Sequence, residues 1–309
     1  MQQIGCRTFP ARQVRRPPLS PSRPRPVGAV ARPGPGAVHA GSIDIEHLDL
    51  LDDPRLQDYR HLREPSRRMG VERAQGIFIV EGHLSVEALL GSACRVRSIL
   101  VTEAHADRYA DVDVSVYALP SRQIEQLTGV HFHRGVLAAA DRPALPSVEE
   151  LARSAQRLLV VEAVNDHENI GALFRNAAAF GVDGVVLDPT AADPLYRRAT
   201  RVSLGHVLRV PFARAVEWPG TIDDLQGFGF ATVALSPGAE EPLAQLVADP
   251  PPRLALLVGA EGEGLSPAAL GRVDRQIRIP MAAGVDSVNV ATAAAIVLSA
   301  LFRPGAPKS

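Results

Sequence analysis

Six short runs rich in Val, Leu, Ile and Ala recur through the second half of the chain: LLVVEAV (158–164), GVVLD (184–188), HVLRV (206–210), FATVAL (230–235), LALLVG (254–259) and QIRIP (276–280). Most are nearly continuous in apolar residues. A strand that reads so is buried on both faces. Helical patterns fall between most of them. This alternation predicts an α/β unit with a mainly parallel sheet, covered on both sides, that binds ligands at the carboxyl ends of its strands.

A smaller alternation precedes it. GIFIVEG (76–82), VRSILVT (96–102), VSVYALP (114–120) and GVLAAA (135–140) read as strands, and HLSVEALLG (83–91) as a helix. We divide the chain accordingly: a tail over 1–43, a small α/β domain over 44–142, a linker over 143–156 and the larger domain over 157–309. Within the linker Ser147 and Glu150 stand at the spacing of a capping box, so it carries a helical turn or more. No internal repeat is evident.

The 309 residues, 46% apolar, are enough for a substantial core and two domains. The longest strongly apolar stretch, from Val290 to Phe302, falls short of the roughly 20 residues of a membrane span, so no membrane segment is expected. Cys6 and Cys94 make no disulfide framework and no metal-ligand spacing. The N-terminus has no apolar leader segment. A cytoplasmic protein without a metal fits these features. Residues 1–41 hold seven arginines, eight prolines and no acid, a composition that cannot order itself by burial. That segment is expected to be disordered, either a basic arm toward RNA or a solvated tail. From residue 42 on, 26 basic residues face 34 acidic, so any nucleic acid must be held by local basic patches.

Three stretches at strand ends carry candidate chemistry. In NDHENIGALFRNAAAF (165–180), Ile170, Leu173, Phe174 and Ala177 form one apolar stripe, with Asn169 placed to cap the helix. Arg175 lies about 150° from that stripe, beside a gap left by Gly171, where it is either a solvated surface residue or a functional one. LLVGAEGEGLSPAAL (256–270) is a strand, a glycine-rich turn and a helix start. It lacks the Lys of a phosphate loop and the third glycine of a dinucleotide loop, and Glu261 and Glu263 would repel a pyrophosphate. A neutral or cationic ligand suits it better, unless the turn is only a turn capped by Ser266 and Pro267. In IPMAAGVDSVNVATAAA (279–295) either Ser287 or Asn289 can cap the last helix; one cap explains one of them.

In this order the three stretches resemble the SpoU class of RNA ribose 2′-O-methyltransferases of the SPOUT superfamily. Asn169, Gly171 and Arg175 match N-x-G-x-x-x-R. Gly259, Glu261, Gly262, Gly264, Leu265 and Ser266 match G-x-E-G-x-G-L-S. Ile279, Pro280, Met281, Gly284, Ser287, Asn289 and Val290 match I-P-M-x-G-x-x-S-L-N-V, with Val288 in place of the usual Leu. The run LYRRATRVSLGHVLRVP (195–211) is similar to the family's basic segment, and FIVEG (78–82) and HRGVLA (133–138) resemble a ribosomal-protein-L30-like RNA-binding domain.

The resemblance implies a trefoil knot in the C-terminal domain, a homodimer, and S-adenosylmethionine as cofactor, contacted at Leu257, Gly259, Ile279, Met281 and Val288. It implies a ribosomal or transfer RNA substrate, ribosomal RNA being the more expected. Asn169, Arg175, Glu261, Ser287 and Asn289 correspond to catalytic positions. A free guanidinium keeps its proton to about pH 12, so we favour Arg175 as a cation that stabilises the forming alkoxide, the proton leaving to phosphate or water. Arg197, Arg198 and Arg201, with Arg67 and Arg68 of the cluster 60–73, are the candidate phosphate contacts. Two other readings remain open at this level: a non-catalytic RNA-binding scaffold and a nucleotide-phosphate enzyme.

Overall fold

The computed structural model describes residues 45–48, 51–63 and 65–302, apart from the side chains of 65–67. The predicted tail over 1–43 therefore lies outside the described residues. The first sheet holds β1 (Glu46–His47), β2 (Ile77–Glu81), β3 (Val96–Thr102), β4 (Ser115–Leu119) and β5 (Val136–Asp141), in the order β1-β4-β3-β5-β2. In it β5 runs antiparallel to β2 and β3, while β1, β4 and β3 are parallel. Helices α1 (Pro65–Gln75), α2 (His83–Leu90) and α3 (Ser121–Thr128) accompany it.

The second sheet contains β6 (Arg157–Val161), β7 (Gly184–Leu187), β8 (Phe212–Arg214), β9 (Ala231–Leu235), β10 (Glu241–Pro242), β11 (Leu254–Val258) and β12 (Arg275–Arg278). Its order is β10-β12-β9-β11-β6-β7-β8, and every neighbouring pair is parallel. The buried runs Leu158–Val161 and Leu254–Val258 make its centre, which agrees with their unbroken apolar character. Around it stand α4 (Val148–Ser154), α5 (His167–Ala179), α6 (Arg197–Val202), α7 (Thr221–Gly227), α8 (Leu243–Ala248), α9 (Pro267–Leu270) and α10 (Val290–Leu301). The strand order reverses between β6 and β11.

Two local expectations are corrected. HVLRV forms no strand: His206–Leu208 is a 3-10 turn, and the strand of that region is β8. Val207 and Val210, three residues apart, are buried while Arg209 between them is exposed, a helical and not an alternating pattern. Nor does Asn169 cap α5. Asp166 does so, accepting the Glu168 amide at 2.6 Å, which leaves the Asn169 side chain to bond outside its own helix.

The capping box at Ser147 and Glu150 forms as the spacing predicts. Yet the linker helix α4 packs into the second sheet: Leu151 and Ala152 are buried, and a Cβ on Gly184 would stand 2.5 Å from Leu151. The two sheets share one apolar cluster, in which Phe78 and Val80 of the first join Leu159 of the second and Ile170 and Leu173 of α5.

Candidate active site at the crossing of three loops

The loops that follow β9, β11 and β12 enclose a cavity of about 500 Å³. Its walls include Leu235, Val258, Gly259, Ile279, Met281 and Val288, and Glu261, Glu263, Ser287 and Asn289 stand on its rim. Gly259 is dictated by close approach: an added Cβ would lie 2.2–2.4 Å from the backbone of Gly264 and Leu265. The glycine-rich turn is thus folded onto the strand end, with Gly262 and Gly264 at positive φ.

Asn289 closes the site. Its Nδ2 donates to Asn169 Oδ1 at 2.7 Å and to Glu261 Oε1 at 2.6 Å. Its Oδ1 accepts the amides of Ala291 and Thr292 at 2.9 and 3.2 Å, so the same residue is the N-cap of α10. One side chain therefore joins all three stretches singled out in the sequence. Asn176 adds a second tie, its Nδ2 donating to Ala291 O at 2.7 Å.

Glu162, just past β6, fixes the turn from beneath. It is 5% exposed; its Oε2 accepts the Ser266 amide at 2.8 Å, and its Oε1 accepts Ser266 Oγ and Trp218 Nε1, each at 2.6 Å. Ser266 in turn caps α9. Sequence reasoning passed over Glu162, Asn176 and Trp218; the one signal was a lone carboxylate within the buried run LLVVEAV.

Residues 156–299 match the SpoU rRNA Methylase family. A Mycobacterium tuberculosis protein named as an uncharacterized tRNA/rRNA methyltransferase is 42% identical over 278 residues, covering 87% of this chain and 96% of that one. The chain belongs to the SpoU rRNA methylase family. Among solved structures, a TrmH-family RNA methyltransferase from Porphyromonas gingivalis aligns with a TM-score of 0.69 and 25% identity, over 82% of this chain and 99% of that one. The SpoU methyltransferase AviRb from Streptomyces viridochromogenes, crystallised with AdoMet, shares the fold at a TM-score of 0.69 and 21% identity, over 81% and 97% of the two chains.

In this SpoU methyltransferase not every predicted site residue gathers at the cavity. Leu257 is wholly buried in the core beside Leu158 and Leu265; strand alternation points it away, and Val258 lines the cavity instead. Arg175 lies about 9 Å along α5 from Asn169 and about 120° around it. It is exposed, lies outside the cavity lining, and its charge acts on His206. The gap expected beside it is filled, since Gly171 packs against Ala199 and Val202 of α6.

The basic residues divide similarly. Arg68 is 2% exposed and bound to Glu72 at 2.7 Å, so no phosphate can reach it. The Arg67 side chain lies outside the described residues. Arg197 donates to the buried Glu81 carboxylate, and Arg201 approaches it at 3.4 Å, so both tie α6 to β2. Arg198 is exposed and paired with Glu168 at 2.6 Å. Among the described residues no group of three or more His, Cys, Asp or Glu side chains is placed to hold a metal, and no helix is long and apolar enough to cross a membrane.

Proposed function

We propose that this protein transfers a methyl group from S-adenosylmethionine to a ribose 2′-hydroxyl of RNA, ribosomal RNA ahead of transfer RNA. The observation that carries this reading is the Asn289 amide held between Asn169 and Glu261 at the mouth of the cavity. A cap alone would need only Oδ1.

The cavity suits the methyl donor. Its volume lies in the range of small-ligand sites, its walls are apolar enough for a flat heterocycle, and its carboxylate rim favours a cation without phosphate. Bound there, S-adenosylmethionine supplies an electrophilic methyl on a sulfonium. Gly259, Ile279, Met281 and Val288 would hold it, while Glu261, Ser287, Asn169 and Asn289 orient the methionine end and the ribose. Holding the two substrates together is worth up to roughly 7–11 kcal/mol of the barrier. Arg175 acts as a cation toward the forming alkoxide, from its exposed face of α5 and in its own subunit or across a homodimer; the proton leaves to phosphate or water.

Val285 on the last loop, Ile296 on α10 and Phe302 just after it are exposed apolar side chains, surface that a homodimer would cover. The strand order also supports a knotted path: β11 is inserted between β6 and β9, and α10 returns onto α5. We assign RNA binding to the domain over 44–142, catalysis to 157–309, and a cytoplasmic location to the whole.

The test is methyl transfer from tritiated S-adenosylmethionine to total RNA, with nucleoside analysis for 2′-O-methylation. Label on ribose supports the proposal. Label confined to bases, or binding of a nucleoside triphosphate in preference to S-adenosylmethionine, would overturn it.

A further inference from the structure

Two segments that the active site does not use, FIVEG and HRGVLA, meet at a second cavity of about 320 Å³. Its lining includes Glu81, His83, His105, His133 and Arg134 from the first sheet's unit, and Leu204 from the turn after α6. It therefore spans the seam between the RNA-binding and catalytic halves.

The polar groups there face one kind of ligand. Tyr109 Oη stands 2.8 Å from His83 Nδ1 and occupies that ring nitrogen. His83 Nε2 is left for a ligand. Thr102 Oγ1 stands 2.8 Å from His105 Nδ1 and donates to Gly135 O at 3.5 Å. His105 Nδ1 is likewise engaged, which leaves its Nε2 for a ligand. Neither Nε2 has a partner among the described residues.

Charge points the same way. Glu81 is the cavity's one carboxylate, and Arg197, Arg201 and Arg134 surround it, the last at 4.0 Å with its side chain 53% exposed. Three guanidiniums outweigh one carboxylate before any imidazole is counted. Space is kept by Gly135 at φ +72, where an added Cβ would come within 2.8 Å of His105 and 3.3 Å of His83. The first amides of α2 add to the positive field, since its N-cap Gly82 has no capping side chain.

We propose that this cavity is a subsite for a phosphodiester of the substrate RNA, bound by Arg134 and the Nε2 groups of His83 and His105, so that RNA is gripped at the seam and presented to the catalytic half. The inference rests on the reading of the protein as an RNA methyltransferase.

The experiment is fluorescence anisotropy of a labelled mixed-sequence RNA hairpin with the full chain over a KCl series, comparing wild type with Arg134→Ala and His105→Ala. Calorimetric S-adenosylmethionine binding and thermal melting serve as controls. Both variants should bind RNA about five- to tenfold more weakly at 100 mM KCl, and Arg134→Ala should flatten the log–log salt slope by about one unit. Folding and cofactor affinity should be unchanged. Wild-type affinity and slope in both variants would overturn the subsite while leaving the methyltransferase reading intact. A wild-type protein that binds S-adenosylmethionine but no RNA would overturn both. Unchanged RNA affinity and salt slope in both variants, together with inorganic phosphate binding to the wild type by calorimetry that Arg134→Ala abolishes, would assign the cavity to a small anion instead.

Discussion

Asn289 satisfies both donors and the acceptor oxygen of its amide within 3.2 Å, and two substitutions separate its roles. Asn289→Asp keeps an oxygen for the α10 amides but sets a carboxylate against Glu261. We expect its melting temperature to stay within a few degrees of wild type while single-turnover methyl transfer falls about 100-fold or more. Wild-type turnover in that variant would reduce Asn289 to a cap. Ala163 offers a test of stability. It sits at φ +55 between β6 and α5, a conformation that costs a non-glycine residue about 1–2 kcal/mol. Ala163→Gly removes that strain at an entropic cost of about 0.5–1 kcal/mol, so denaturant unfolding should show a gain of up to about 1 kcal/mol. At this scale residue type was legible and direction was not. Arg68, Arg197 and Leu257 were plausible ligands in the chain, but an arginine paired under a helix and a leucine facing the core differ from exposed ones only through their neighbours.

Between elements, close contacts replace side-chain chemistry. A Cβ on Gly171 would stand 2.7 Å from the Ala199 carbonyl oxygen, so Gly171→Ala must push α6 off α5. Overpacking of this kind costs about 1–3 kcal/mol, which thermal or urea melts would report. Glu162→Gln tests the support beneath the glycine-rich turn. It exchanges charge-assisted bonds from Ser266 for neutral ones at a cost of about 1.5–3 kcal/mol, and S-adenosylmethionine affinity should fall with stability. Unchanged calorimetric affinity in a folded variant would show that the turn holds its shape unaided. Periodicity located most of the strands because a run buried on both faces leaves no polar register. It failed at HVLRV, where two valines three residues apart serve a single helical turn as well as a strand.

Across the whole molecule, the buried Glu81 joins the two sheets through Arg197 and Arg201, and Arg142 adds a bond to Asp193 at 2.6 Å. With an apolar cluster common to both sheets, the two halves should melt in one calorimetric transition. Glu81→Gln should lower stability by up to about 3 kcal/mol and broaden or split that transition, because three guanidiniums would face each other without their counterion. By itself the sequence determined the α/β class, the parallel sheet and the three loops of the catalytic reading. Each of those is written in local spacing: buried runs, glycines at turns, a cap before a helix. Only the tertiary structure decided that Asn289 bridges Asn169 and Glu261, that Arg175 stands exposed outside the cavity lining, and that histidines from three segments line the seam. Those contacts join residues up to 120 positions apart, and a local pattern carries no information about which distant groups the packing of two sheets will bring within hydrogen-bond reach.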